Sequence, residues 1–311
     1  MTYSKKEAFW QKKTVIFAVA LFCCFLWGSA TPAIKTGYAM LGIESQDTAS
    51  QMLFAGIRFT LAGIMAVIIG SIREKQLLKP SAKTTPSVLI LALVQTVLQY
   101  FFFYTALAHT TGVQGSIIQG ANAFIALLVA ALIFRMETLT ARKILGSTIG
   151  FLGMALINLS GGVFGTSWSF SGEGAMILSM IAYACSSVLT RKFSQKEHPF
   201  TLSGYQFFVG GLILIGISLL MGGRITFTAP SLVLLVYLAF ISAAAYSLWG
   251  MLLKYNSVAS ITIFTCATPV FGTLLSAIFL GESQQALTWQ SLLALALICI
   301  GIVTVNTGKK D

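Results

Sequence analysis

Charged residues are scarce in this sequence, and their scarcity excludes a soluble globular protein. Asp, Glu, Lys and Arg together make up 9% of the 311 residues, whereas hydrophobic residues make up 56% and the mean hydropathy is +0.85. An average soluble domain has about 25% charged residues. The sequence therefore predicts a polytopic membrane protein, and it leaves no room for a separate soluble domain.

Histidine and cysteine are also scarce, which argues against a metal centre or a catalytic site. The two histidines, His109 and His198, fall on opposite predicted sides of the membrane, and the five cysteines show no metal-binding spacing. A membrane-embedded enzyme needs converging nucleophiles, acids or metal ligands, and an ion channel usually needs rings of repeated charge. The sequence shows neither pattern, so we expect neither an enzyme nor a channel, and no cofactor.

Long apolar stretches are what this sequence has in abundance. Ten of them are long enough to cross a bilayer as helices, which predicts an all-α protein with ten transmembrane helices. They fall at about residues 14–34, 51–71, 86–108, 112–134, 141–158, 173–190, 199–221, 231–253, 257–280 and 288–306.

The two halves of the chain resemble each other. Residues 104–137 align without a gap with residues 249–282, and six positions are identical. Two further pairs of segments echo in the same order: 27–35 with 183–191, and 153–158 with 301–306. We therefore predict a first repeat at residues 1–158, an external Gly- and Ser-rich linker at 159–171 and a second repeat at 172–311. Because each repeat has five spans, an odd number, the second must be inverted relative to the first.

Basic residues are distributed unevenly among the predicted loops. Seventeen of the 20 Lys and Arg residues lie on one side of the predicted membrane, Lys35 and Arg224 lie on the other, and Arg58 falls within the second span. Cytoplasmic loops collect Lys and Arg, so we expect both termini in the cytoplasm and the protein in the plasma (inner) membrane. The net charge of +11 is then a topology signal. It does not indicate a nucleic-acid partner, because no loop is long enough to carry a clustered basic patch.

Several short motifs occur within the spans or directly after them. They are Trp27-Gly28, Arg58-Phe59, Tyr104, Ala106 and Leu107, and the glutamates Glu137 and Glu282 after the fourth and ninth spans. In these motifs the chain resembles, over essentially its whole length, the EamA family of the drug/metabolite transporter superfamily. It departs from the family at Phe124, where members often have the proline that this chain has at Pro269.

The resemblance implies two inverted five-helix EamA-type repeats, a central cavity lined by spans of both repeats, and export or exchange of small metabolites. Shorter, four-helix members of the superfamily dimerise, so this chain looks like a fused dimer for which a monomer is sufficient and an oligomer possible. Gly146 and Gly150 form a GxxxG pattern in span five, which indicates close helix packing. The pattern leaves open whether the packing is within the chain or between subunits.

Polar residues at helical spacing form stripes on several spans and predict a shared polar cavity. The candidate substrate-cavity residues are Trp27, Arg58, Gln95, Gln99, Gln119, Asn122, Tyr183, Tyr246 and Trp249. The alternative is that these groups only pair between helices to pack the bundle. Arg58 has two interpretations: it holds a substrate carboxylate, or its long side chain snorkels to the outer interface.

The function that these features predict is transport of a small metabolite across the lipid bilayer, most simply an amino acid or similar amphipathic molecule, by alternating access of an exporter or exchanger. The alternative is a proton-coupled efflux carrier for drugs or toxic compounds. Proton-coupled carriers commonly use an embedded Asp, Glu or His. None of the nine acidic residues falls at the middle of a predicted span, so we expect the gradient of the substrate itself to drive transport.

Overall fold

The computed structural model describes residues 5–44, 46–109, 122–159, 169–268, 270–272, 275 and 289–306, and every regular element in them is a helix. After a short helix, Lys5–Trp10, ten helical elements follow in chain order. They are α1 (Lys13–Leu41), α2 (Thr48–Glu74), α3 (Thr85–Leu91, the π-helical Ala92–Leu98 and Gln99–His109), α4 (Asn122–Leu128 and the π-helical Val129–Ile133), α5 (Ala141–Leu159), α6 (the π-helical Phe170–Gly174 and Ala175–Phe193), α7 (Pro199–Leu220), α8 (Ala229–Tyr255), α9 (Val258–Thr262 and the 3-10 turn Ile263–Ala267) and α10 (Trp289–Asn306).

Each of these elements falls in one of the ten predicted spans, although α4 and α9 are described over only part of theirs, and the all-α polytopic class is confirmed. Among the described residues, six helices are long and apolar enough to cross a membrane, and three shorter apolar helices lie at Asn122–Ile133, Val258–Gly272 and Ala296–Val305. Where the structure describes both a helix end and the residues beyond it, the largest difference from the predicted bounds is at α1, whose apolar stretch ends near residue 34. The helix continues to Leu41 and ends where Gly42 adopts a left-handed conformation, φ 62°, and donates its N–H to the last carbonyls.

Successive helices run in opposite directions, which gives the bundle two ends. At one end the Asn256 side chain donates to the Trp10 carbonyl, 3.1 Å away. At the other, the Ser50 hydroxyl donates to the Arg224 carbonyl at 3.0 Å. We name them the Glu137 end and the Ser50 end, because Glu137 and Ser50 make contacts between the two halves there.

The packing of the helices is symmetric. Helix α2 packs along α7, α5 packs along α10, and the α1–α8 contact is matched by an α6–α3 contact. Exchanging each helix for the one five places later therefore reproduces these main contacts. This arrangement is the one expected for two inverted five-helix repeats related by a pseudo-two-fold axis in the membrane plane.

Glycines allow close approach in the two helix pairs whose members are equivalent in the two repeats, α2 with α7 and α5 with α10. A Cβ added at Gly63 of α2 would lie 2.5 Å from the Gly204 carbonyl oxygen of α7, and one added at Gly146 of α5 would lie 2.9 Å from the Gly301 carbonyl oxygen of α10. These distances are too short for any side chain, so the backbones meet directly. The GxxxG pattern of span five therefore packs within the chain.

The pseudo-two-fold axis can be placed between two rings. Aligning α2 with α7 at their close contacts matches Arg58-Phe59 with Gln206-Phe207. The rings of Phe59 and Phe207 stack with centroids 5.1 Å apart and planes 15° apart. Equivalent residues that touch each other must lie on the axis relating them, so the axis passes between these phenylalanines.

Candidate substrate cavity

Six aromatic side chains from both repeats meet at the pseudo-two-fold axis, and we name them the aromatic cluster. They are Trp27 of α1, Phe59 of α2, Tyr100 of α3, Phe207 of α7, and Tyr246 and Trp249 of α8. The Trp27 centroid lies 4.9 Å from Trp249 and 5.2 Å from Tyr246. The Phe59 centroid lies 4.4 Å from Tyr100, and Phe207 lies 4.9 Å from Tyr246. The rings form one continuous apolar surface across the centre of the bundle.

The polar atoms of the aromatic cluster are only partly satisfied. The hydroxyls of Tyr100 and Tyr246 lie 2.9 Å apart and share a hydrogen bond. The indole N–H groups of Trp27 and Trp249 are buried, and neither has a hydrogen-bond partner among the described residues. A buried donor without a partner costs about 1–3 kcal/mol. These two N–H groups are therefore able to gain a hydrogen bond from a polar group that enters the cluster.

A pair of amides lies beside the cluster towards the Glu137 end. The Gln206 Nε2 group donates to Gln95 Oε1 at 2.7 Å, and both side chains are buried. Gln206 Oε1 is left without a partner in the described chain. Gln95 lies in the π-helical segment of α3, a kind of local distortion that often occurs at functional sites. One amide from each repeat thus contributes to the pair.

The cavity next to the amide pair is small in this conformation. Gln95, Thr190, Gln206, Tyr246 and Trp249 are among the residues that line it, and its volume is about 10 Å³. This is room for one water molecule, not for an amino acid. A metabolite can therefore enter only after helices have moved apart.

Arg58 lies on the other side of the axis, towards the Ser50 end. Its residue is 4% exposed, and its guanidinium carbon lies 4.4 Å from the centroid of Phe59 and 6.0 Å from that of Tyr100. The guanidinium also interacts electrostatically with the hydroxyls of Tyr38 and Tyr246. The side chain therefore points into the bundle, and the interpretation that Arg58 snorkels to the interface is wrong.

The remaining candidate residues differ in their positions. Gln99 lies within reach of the Tyr246 hydroxyl, and buried Tyr183 of α6 interacts with the Tyr100 hydroxyl. Asn122 is half-buried at the start of the described part of α4, and its Oδ1 atom has no partner among the described residues. Gln119 lies outside the described residues. The structure thus brings seven of the nine candidates to the centre of the bundle: Trp27, Arg58, Gln95, Gln99, Tyr183, Tyr246 and Trp249.

The Glu137 end is held together by a cluster of charges around one buried carboxylate. The Glu137 side chain is 2% exposed and lies 3.2 Å from Arg191 Nη1 and 3.5 Å from Lys143 Nζ. It also accepts hydrogen bonds from the backbone N–H groups of Val258 and Ala259, in the first turn of α9. A carboxylate is stabilised there by the positive end of the helix dipole. We name this set of contacts the Glu137 clasp; it ties the first repeat to the second.

Sequence reasoning missed three members of the aromatic cluster and one of the amides: Phe59, Tyr100, Phe207 and Gln206. Phe59 was noted only as part of a family motif. The signal that would have found Phe207 and Gln206 is the alignment of α2 with α7, which matches Arg58-Phe59 with Gln206-Phe207; Tyr100, on α3, lies outside that alignment. The signal is weak in sequence, because the matching positions are mostly small or apolar residues.

The arrangement suits reversible binding of a small molecule. Aromatic rings give a wide contact surface, while a few buried donors and acceptors without partners give orientation. Among the described residues there is no group of three or more His, Cys, Asp and Glu side chains that could hold a metal ion. The acidic side chains that the structure describes lie at the two ends of the bundle, away from the aromatic cluster.

Comparisons with known proteins agree with this fold. The chain is 29% identical over 269 residues to an uncharacterized transporter of Archaeoglobus fulgidus, covering 85% of this chain and 88% of that protein. It is 24% identical over 299 residues to a probable amino-acid metabolite efflux pump of Salmonella typhimurium, covering 91% of this chain and 92% of that protein. A solved crystal structure with 17% sequence identity superposes with a TM-score of 0.77, covering 94% of this chain and 97% of the other, which shows the same fold.

The relatives are named as transporters and not as enzymes. The model of the EamA-like transporter family matches residues 14–159 and 170–307, one match for each half of the chain. The two matched segments together contain the ten helical elements, and each segment contributes residues to the aromatic cluster. The chain is therefore a multi-pass membrane protein that belongs to the EamA-like transporter family.

Proposed function

We propose that this protein is a carrier for a small amphipathic metabolite, such as an amino acid, which it exports or exchanges by alternating access. The substrate binds between the two repeats, at the aromatic cluster. The amides and indoles around the cluster orient its polar groups. A single chain contains the complete site, because both repeats that line it belong to one polypeptide.

One observation carries this proposal: the aromatic cluster lies on the axis that relates the two repeats. A site on this axis has equivalent surroundings towards each end of the bundle, which is the requirement for exposing one site alternately to two sides. The buried indole N–H groups of Trp27 and Trp249 have no partner among the described residues, so a bound solute satisfies them. The name of the Salmonella typhimurium relative, a probable amino-acid metabolite efflux pump, supports the substrate class.

The Glu137 clasp is the element that closes one side. It connects the loop after α4 and the start of α5 with α6 and α9, so it must loosen when the repeats rock apart at that end. The cavity of about 10 Å³ next to the amide pair corresponds to the closed arrangement. Alternating access then consists of breaking these contacts at one end while equivalent helices close the other.

Basic residues give the orientation that we propose. Those of the described chain gather mostly at the Glu137 end, in the segments around residues 73–83, 135–143 and 191–196. Lys and Arg mark cytoplasmic loops, so the Glu137 end faces the cytoplasm and the protein resides in the plasma membrane.

The energy source is the gradient of the substrate or of a counter-substrate. Transport by proton coupling would need an embedded group that changes its charge, and the sequence offers no acidic residue near the middle of a span. Proteoliposomes with an imposed pH gradient test this point. Uphill accumulation driven by the pH gradient alone, and lost in Glu137→Gln, would show that protons are coupled after all.

A metabolite-export screen tests the proposed function. Culture medium of a deletion strain, a strain overexpressing the wild-type protein and a strain overexpressing Trp249→Ala is compared by mass spectrometry. We expect one or a few amphipathic metabolites to accumulate outside the wild-type overexpressor only. If every metabolite is equal in the three media while the protein is abundant in the membrane, export of a small metabolite is refuted.

A further inference from the structure

We propose that Arg58 is the anion site of the cavity, and that the substrate is a monocarboxylate with an apolar, preferably aromatic, body. This inference rests on the proposed function and names the substrate class within it. It excludes organic cations and favours acids over their amides or esters.

The depth of Arg58 is the first argument. It is the eleventh residue of α2, Thr48–Glu74, which places it about 15 Å from the Ser50 end and about 24 Å from the Glu137 end at 1.5 Å per residue. At 4% exposure its charge is enclosed by protein. An ionised group at such a depth is costly and requires a partner.

The second argument is that Arg58 has aromatic neighbours but no acidic one. Its guanidinium lies against the rings of Phe59 and Tyr100, which offsets part of the charge through cation–π attraction. Its Nε–H group is buried, and no hydrogen bond or ion pair of Arg58 occurs in the part of the chain that the structure describes. The buried Nε–H of this planar fork is thus a donor left for an acceptor that comes from outside.

The third argument comes from the pseudo-two-fold symmetry. Gln206 occupies the position of Arg58 in the second repeat, and its side chain is satisfied by Gln95 at 2.7 Å. The fold therefore accommodates a neutral amide at this position, as it does at Gln206 of the second repeat. The first repeat places a permanent cation at the equivalent position and gives it no amide partner among the described residues. A cation at this position in only one repeat is accounted for if it binds an anionic substrate.

The chemistry of the surroundings decides between anions. A guanidinium fork binds carboxylates and phosphates through two parallel hydrogen bonds. A phosphate monoester carries nearly two charges at neutral pH and needs more than one cation. In the described part of the aromatic cluster and its neighbours, Arg58 is the single basic side chain. One cation beside the rings of Phe59 and Tyr100, at the edge of the aromatic cluster, matches one carboxylate attached to an apolar body.

Ligands that differ in a single group test the inference on purified protein. The probes are 3-phenylpropionate, L-phenylalanine, L-phenylalanine amide, 2-phenylethylamine and phenyl phosphate. Quenching of tryptophan fluorescence reports their binding, because Trp27 and Trp249 lie in the cluster. We expect the two carboxylates to bind at least about tenfold more tightly than the other three probes, as the loss of one charge-assisted hydrogen bond implies.

Three variants complete the experiment. Arg58→Gln copies the residue of the second repeat, and we expect it to bind the carboxylates at least about tenfold more weakly. Arg58→Lys keeps the charge without the planar fork and should retain part of the affinity. Arg73→Gln is the matched control: Arg73 is on the same helix and also lies near a ring, Phe200 at 5.9 Å, but is exposed at the Glu137 end. We expect Arg73→Gln to bind the carboxylates with the affinity of the wild type.

A thermal readout keeps the test decisive without transport activity. Removing a buried charge that lacks a partner should raise the melting temperature of unliganded Arg58→Gln above that of the wild type. Carboxylates should raise it further only in the wild type and in Arg73→Gln. The inference is overturned if no carboxylate binds the wild type, if amide or amine binds as tightly as the acids, or if Arg58→Gln keeps the wild-type affinity. A wild-type protein that exports a neutral metabolite, with the same rate in Arg58→Gln, would retain the carrier proposal and refute only the carboxylate site.

Discussion

Replacing Glu137 with glutamine should open the Glu137 end of the bundle. The substitution keeps the size of the side chain and one acceptor oxygen for the N-terminus of α9, but removes the charge that attracts Arg191, at 3.2 Å, and Lys143, at 3.5 Å. The carboxylate is 2% exposed, while its partners are 27% and 12% exposed. Water already screens part of each ion pair, so the full value of a buried pair does not apply.

The magnitude follows from these contacts. Each partly screened charge-assisted contact contributes about 1–2 kcal/mol, and the interaction with the helix dipole contributes about 0.5 kcal/mol. Losing them destabilises the closed arrangement by roughly 2.5–4.5 kcal/mol, if the clasp is broken in the open one. The ratio of open to closed molecules then rises by roughly 70-fold to 2000-fold.

Thiol modification measures this ratio. In a variant without the five native cysteines, a single cysteine replaces Ser203, which lines the cavity on α7 and is 4% exposed. Its rate of reaction with a maleimide in detergent follows the open population when opening is fast. The control is Glu197→Gln, because Glu197 lies at the same end and accepts from Thr84 at 2.6 Å without contacting α9 in the structure. A rise in Glu137→Gln no larger than in this control would refute the role of the clasp.

Three further predictions follow from the packing and the orientation. Gly63→Ala should destabilise the protein by about 1–3 kcal/mol through overpacking, which would lower the melting temperature. Gly216→Ala should not, because nothing lies within 4 Å of its Cβ position. Equal effects of the two substitutions would contradict the close contact of α2 and α7. Gln206→Leu should lower the free energy of unfolding by about 1–3 kcal/mol, because it leaves the Gln95 amide unpaired. The double variant with Gln95→Leu should recover part of that loss. Additive losses in the double-mutant cycle would show that the two amides are not coupled. A cysteine at Thr226, in the exposed loop between α7 and α8, should react with an impermeant reagent in intact cells, and reaction only after permeabilisation would reverse the proposed orientation.

Hydropathy predicts the ten helices because each span is a long apolar segment that only a membrane accommodates. It does not predict where the helices end. The end of α1 depends on the left-handed conformation of Gly42, seven residues beyond the charge of Lys35 that marks the end of the apolar stretch. The helix ends are set by local backbone geometry, which a hydropathy window averages out.

The candidate site is predicted where a stripe of polar residues exists and is missed where a residue stands alone. Tyr246 and Trp249 belong to a stripe on α8, and the structure places both in the aromatic cluster. Gln206 is a lone amide in a highly apolar helix, so spacing gives no signal for it. The orientation of Arg58 was also undecidable from sequence, because the choice between the interior and the interface depends on the ring of Tyr100, which belongs to another helix.

The central claim is that one site between the two repeats is exposed alternately to the two sides of the membrane. Counterflow in proteoliposomes tests it most directly. Vesicles are loaded with the metabolite found by the export screen, and uptake of the labelled metabolite is followed with the wild-type protein and with Trp249→Ala. With the wild-type protein we expect saturable, transient accumulation of label that requires the internal metabolite, and with Trp249→Ala we expect this accumulation to be strongly reduced. Uptake that rises linearly with concentration and is independent of internal metabolite would contradict alternating access.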